Sequence, residues 1–216
     1  MTTGPVSAAG PTAGALIKTD ALVREVPGRR RRPGWWGMVM FLAADSSMFA
    51  SMIAAYYYIW FVSSWQHSWP PPGDPLPKLL KASILTALML SSVFPMAFAD
   101  RGLKQGSRLR MFFGEAVVAL LGAAFVVLEV FEFMDELKTT KPSSDAYGSI
   151  FYTLLGFHLA HVMLLVLFML LLLAATVTGR LDRAHHVIVR NVALFWYASV
   201  VIWVAIYITL YWSLRA

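Results

Sequence analysis

Apolar residues along this chain fall into five long runs, at 35–62, 79–99, 111–134, 147–178 and 191–212, and the stretches between them collect nearly all of the Pro, Lys and Arg. Each run meets or exceeds the roughly 20 residues a helix needs to cross about 30 Å of hydrocarbon. None shows the two-residue alternation of a lipid-facing strand. A backbone crossing lipid must also satisfy its own amide groups, so the runs predict five membrane-spanning helices. The expected class is an all-α integral membrane protein. The fourth run would be roughly 48 Å long at 1.5 Å per residue, so it is expected to tilt or to project from the bilayer.

The segments outside the runs have local explanations. Residues 1–34, rich in Gly, Pro, Ala, Ser and Thr and then basic at Arg29, Arg30, Arg31 and Arg32, read as a mobile tail ahead of a five-helix domain at 35–216. The arginines flank a membrane entry marked by Trp36, and a contact with a partner subunit or anionic lipid is the alternative use for them. No cleaved signal peptide is expected, because the first apolar run follows the arginines and is too long for a signal core. The turn Trp69-Pro70-Pro71-Pro72-Gly73-Asp74-Pro75 cannot continue a helix. Ser or Asp within 143–145 offers an N-cap for the fourth helix, Gly179 offers its C-terminal stop, and Pro95 predicts a kink in the second.

Composition narrows the function. With 58% hydrophobic and 14% charged residues, against about 25% charged in soluble domains, the chain is not an ordinary water-soluble enzyme. The lack of Cys removes disulfides, thiolate metal sites and thiol nucleophiles together. The net charge of +6 is an orientation signal. Thirteen Lys and Arg fall in the tail and the second and fourth connections, and five fall on the opposite side. That bias predicts a cytoplasmic N terminus and an external C terminus. No soluble segment interleaves aromatic and basic residues as a nucleic-acid platform would.

The chemistry-bearing candidates are ionisable residues at membrane depth. Asp45 lies about 15 Å along the first helix from Trp35. Glu115 sits one turn inside the third. Glu129 and Glu132 share a face of the third helix, and His158 and His161 share a face of the fourth. Each is expected to face another helix, a partner subunit, a lipid head or a water-filled crevice. The third and fourth helices are antiparallel sequence neighbours, so Glu132 is expected beside His158 and His161. Such a contact serves as a structural tie, a lipid anchor or a proton carrier. Two His and two Glu also match a di-metal inventory, but carboxylate-bridged bundles spread their ligands over four helices, and no metal site is assigned. Small residues in the first helix (Ala43, Ala44, Ser46, Ser47, Ala50, Ser51) and the third (Gly114, Gly122) read as close-packing faces. Phosphate-loop, dinucleotide, zinc-protease and nucleophile motifs are lacking, and no catalytic residue is assigned.

Over roughly 34–213 the chain resembles subunit III of haem-copper respiratory oxidases, in the short five-helix bacterial form. The resemblance rests on Trp36-Gly37-Met38 through Phe41, Asp45 and Phe49; Trp69-Pro70-Pro71; Leu79 to Ser92; Glu132-Phe133; Tyr147-Gly148-Ser149 with Phe151; Gly156-Phe157-His158 and His161; and Trp196, Trp203 and Tyr207. It implies a V-shaped bundle with bound phospholipid in its cleft, between the first pair of helices and the other three. Subunit I is the implied main contact, with subunit II and small accessory subunits beyond it. Haem and copper would belong to those partners and no cofactor to this chain. Asp45, Glu129, Glu132, His158 and His161 would be lipid-cleft or structural polar positions.

The last helix departs from the family pattern, since Tyr197 stands where that pattern has His and Val200 where it has Asp. Residues Leu128 to Phe133 resemble the quinol-oxidase variant. The implied function is a non-redox accessory subunit of a terminal oxidase in a bacterial inner membrane, supporting assembly and sustained proton uptake. A quinol oxidase subunit, a relative associated with nitric oxide reductase and an independent ion-coupled transporter are the alternatives.

Overall fold

The structure, a computed structural model, describes residues 33–64, 78–138, 142, 145–179 and 186–213. Arg29 to Arg32 and the proline-rich turn at 69–75 lie outside them. Among the described residues every regular element is helical: α1 (Pro33–Ser64), α2 (Leu79–Ser91), α3 (Val93–Gln105), α4 (Arg108–Glu136), α5 (Ala146–Val177) and α6 (His186–Tyr207), which runs on through a π-helical turn at Ile208–Trp212. Five stretches are long and apolar enough to cross a membrane: Gly34–Ser63, Leu79–Gln105, Arg108–Glu136, Ala146–Val177 and Val187–Trp212.

The second crossing is two helices because Pro95 has no amide hydrogen for the Ser91 carbonyl and its ring crowds that oxygen. The chain turns at Ser92, whose hydroxyl donates to the Met89 carbonyl at 2.6 Å. The fourth crossing starts where Asp145 accepts a 2.6 Å bond from the Gly148 amide. It ends just before Gly179, at φ 69°.

Contacts define two ends. At one, Lys81 meets Asp135 and Phe151 meets Tyr211. At the other, the Asn191 side chain donates to the Gly34 carbonyl. The first is called the acidic end below, after Glu129, Glu132, Asp135 and Glu136.

The last helix holds the bundle together. Trp196 and Trp203 are fully buried, and each indole N–H finds a hydroxyl on the second crossing: Ser92 at 2.9 Å and Thr86 at 3.1 Å. Tyr207 and Ser83 make a third such bond at 2.9 Å. The three hydroxyls on α2 and at its end already donate to carbonyls of Met89, Ala82 and Leu79 in their own turns. They therefore accept from α6, which satisfies the donors of Trp196, Trp203 and Tyr207. The order 92–196, 86–203, 83–207 is that of antiparallel helices.

Trp196 fits because Gly122 has no side chain. A Cβ there would stand 2.6 Å from the Trp196 ring and 2.8 Å from Val166. Gly122→Leu should therefore cost about 1–3 kcal/mol through overpacking. The check is the thermal unfolding midpoint in detergent against Val127→Leu, on an exposed face of α4, which should leave it unchanged.

Two expectations about packing are corrected. The second crossing does not pair with the first. It packs on α4 and α6, while α1 is the least enclosed helix, with 11% of its apolar window buried against 28–44% for the others. A seam between the first two helices and the other three is thus not the division observed. The reason is the closeness of α3 to α4, where a Cβ at Gly114 would fall 2.7 Å from the Pro95 carbonyl. The small residues of α1 do not face the bundle either, since Ala43, Ala44, Ser46, Ser47, Ala50 and Ser51 are all exposed. Instead α1 packs by Met38, Leu42, Asp45, Phe49, Met52 and Tyr56, spaced alternately four and three apart.

Candidate functional site

Polar side chains inside the bundle form three layers. In the layer farthest from the acidic end, Glu115 on α4 is fully buried, and its Oε2 lies 2.9 Å from the Thr176 hydroxyl of α5.

The middle layer joins α1, α5 and α6. His161 Nδ1 is 2.7 Å from the Phe157 carbonyl in its own helix. A carbonyl can only accept, so Nδ1 carries a hydrogen. Its Nε2 is 2.8 Å from Asp45 Oδ1. That contact holds one proton, on the ring or on the carboxyl, and the pair is neutral either way. Asp45 Oδ2 is buried without a hydrogen-bond partner. One turn away, His158 points its Nε2 at the Ser199 carbonyl (3.2 Å), with the Ser199 hydroxyl at 3.4 Å. Its ring is boxed by Trp203 at 5.0 Å, Phe125 at 5.9 Å and Phe49 at 6.4 Å. Phe49 also meets His161 at 5.3 Å, so one phenyl ring of α1 closes both histidines.

The third layer is the acidic end. Glu129, Glu132 and Glu136 are buried on one face of α4. Lys81 of α2 lies 3.0 Å from Asp135, which also pairs with Lys138 at 3.0 Å. Lys78 and Lys81 are the cations that act on Glu132 and Glu136. The π-turn brings Tyr211 within electrostatic reach of the three glutamates, stacked on Tyr207 with centroids 5.9 Å apart. The wider turn is visible in the Ser213 amide, which reaches back five residues to the Ile208 carbonyl at 2.9 Å.

The expected Glu132 contact with His158 and His161 does not form. His161 takes Asp45, His158 takes Ser199, and Glu132 Oε1 has no hydrogen-bond partner. Depth explains it. Glu132 is four residues from the end of α4, about 6 Å, whereas His158 and His161 are twelve and fifteen residues into α5, roughly 18 and 23 Å. Asp45, eighteen residues from the end of the first crossing, is about 27 Å deep. The same arithmetic on the sequence would have paired Asp45 with His161. Tyr197 is half-buried and Val200 buried in the α6 core, and Trp36 is exposed. Among the described residues, no group of three or more His, Asp or Glu converges as a metal would require.

This layered interior fits a multi-pass helical bundle that holds ionisable side chains inside it. The family model for cytochrome c oxidase subunit III matches residues 31–214. The chain belongs to that family. Among its curated relatives, Cytochrome c oxidase subunit 3 of Drosophila yakuba is 29% identical over 180 residues, covering 82% of this chain and 68% of the relative. The proteins of the same name from Osphranter robustus and Rattus norvegicus are 28% and 29% identical, with the same coverage. Within this subunit III family member, the zipper of Trp196, Trp203 and Tyr207 and the Asp45–His161 pair give physical roles to residues that carried the resemblance.

Proposed function

We propose that this chain is the non-redox subunit III of a haem-copper terminal oxidase that takes electrons from cytochrome c. The observation that carries the reading is the family match from 31 to 214, joined by relatives named Cytochrome c oxidase subunit 3. In this reading haem and copper reside in partner subunits, with subunit I the main contact and subunit II and small accessory chains completing the complex. The chain supports assembly, retains phospholipid and sustains proton uptake during aerobic electron transport. It lies in a bacterial inner membrane, N terminus inside, as the thirteen-to-five distribution of Lys and Arg favours.

The surface of α1 supports a partnered role. Trp36, Met40, Phe41, Tyr58 and Phe61 present large exposed apolar area around a helix seated by one stripe, which suits contact with lipid and with partner helices. Tagged chain purified in mild detergent should bring down a haem-bearing partner and a copper-binding one. A chain that purifies alone and carries ions across liposomes would replace this reading with a transporter.

A further inference from the structure

We propose that Glu129 is a proton-binding site that exchanges protons with the aqueous phase at the acidic end through Glu132 and Glu136. The three carboxyls lie three and four residues apart on one face of α4, so they form a file with steps of about 4.5 and 6 Å along the helix. Exposure falls inward along it, from 9% at Glu136 to 3% at Glu132 and 0% at Glu129. All three act electrostatically on the buried hydroxyl of Tyr211 in the π-turn, as does Tyr147 of α5. Their common reach to Tyr211 agrees with their place on one face of α4.

Charge balance differs along the file. Lys78 and Lys81 act on both Glu132 and Glu136, and Asp135 is held by Lys81 and Lys138. The innermost carboxyl has no such help. Both Glu129 oxygens are buried without a hydrogen-bond partner, and the charge that acts on it is that of Glu132. On α5, His158 gives its Nε2 hydrogen to the Ser199 carbonyl, and its buried Nδ1 has no partner to accept the second hydrogen that a positive charge would require. An ionised carboxylate at this depth with neither cation nor donor is strongly disfavoured. Glu129 is therefore a neutral acid that holds a proton. The proton leaves as H+ to the carboxylate of Glu132, which, unlike Glu129, has the lysine charges acting on it, and returns by the same route. No other reactant is needed. Glu129 is unpartnered and wholly enclosed, whereas Glu132 and Glu136 have cations and Glu136 retains exposure, so the file has a storage end and an open end.

This inference rests on the chain's own carboxyls and stands or falls apart from the oxidase assignment. The test is infrared spectroscopy of the purified, lipid-reconstituted protein with whatever subunits accompany it. At neutral pH the wild type should show the carbonyl stretch of a protonated carboxyl, and Glu129→Gln should lose that band, leaving it as a positive feature in the wild-type-minus-variant difference. Glu129→Asp should shift the band rather than abolish it, which covers the case in which the glutamine variant does not assemble. Transfer to D2O should shift the wild-type band promptly, and Glu132→Leu with Glu136→Leu should slow that shift severalfold. A wild type without the band, or a band untouched by both Glu129 variants, overturns the site. An exchange rate indifferent to Glu132 and Glu136 overturns the route.

Discussion

Replacing His161 with leucine should loosen the seat of α1 more than replacing its partner Asp45, and replacing both should cost less than the sum. The asymmetry follows from what each change leaves behind. Without His161, the Asp45 carboxyl keeps its place with both oxygens lacking a partner and only 5% of its side chain exposed. Breaking a buried pair in this way costs about 3–5 kcal/mol. Without Asp45, the imidazole keeps its Nδ1 bond to the Phe157 carbonyl. Its Nε2 becomes a bare acceptor on a ring that is 19% exposed, a loss of about 1–3 kcal/mol. With both changed to leucine, no polar atom of the pair remains, and the seam of Met38, Leu42, Phe49, Met52 and Tyr56 continues through the site. Thermal unfolding midpoints for the two single variants and the double variant decide it. Equal costs for the single changes, or strict additivity, would show that the 2.8 Å contact does not set the docking of α1.

How much of this was legible in the sequence depends on which residues carried it. The five crossings follow from run length without strand alternation, since such a run satisfies its backbone amides in lipid as a helix. The Asp145 cap and the break before Pro95 follow from side-chain and ring chemistry within one turn. The partner of His161 did not follow, because it lies on α1, more than a hundred residues away. The expectation instead chose Glu132 from the adjacent helix, and connectivity outweighed depth. The orientation of α1 differs from the expected one for a related reason. Its exposed serines donate to carbonyls of their own helix, Ser47 to Ala44 and Ser51 to Ser47 at 2.8 Å, so they need no protein partner and can face outward. The packing stripe was carried by larger side chains such as Met38, Phe49 and Tyr56. The π-turn leaves no mark that a single sequence exposes, yet it brings Tyr211 to the acidic face of α4.

Truncating Trp196 to alanine should be among the most damaging single changes in the bundle, at about 3–5 kcal/mol, because it empties a fully enclosed site between α4, α5 and α6. Most of that cost should be volume rather than hydrogen bonding. Trp196→Phe keeps much of the ring stack but gives up the donor to Ser92, and a hydrogen bond inside a membrane protein averages only about 0.6 kcal/mol. Ser92→Ala is the more telling change. It strands the Trp196 N–H, which is 2.9 Å from the hydroxyl on a fully buried side chain, and an unmet buried donor costs about 1–3 kcal/mol. Combining Ser92→Ala with Trp196→Phe removes donor and acceptor together, so the pair should be less costly than the sum of the two single changes. The same cycle at Thr86 and Trp203 should behave alike, since Thr86 also donates to its own helix and accepts the indole. Unfolding midpoints in detergent supply the four values for each cycle. If Ser92→Ala and Trp196→Phe add strictly, the indole–hydroxyl bond does not couple the second crossing to the last, and the Gly122 recess alone accounts for the position of Trp196.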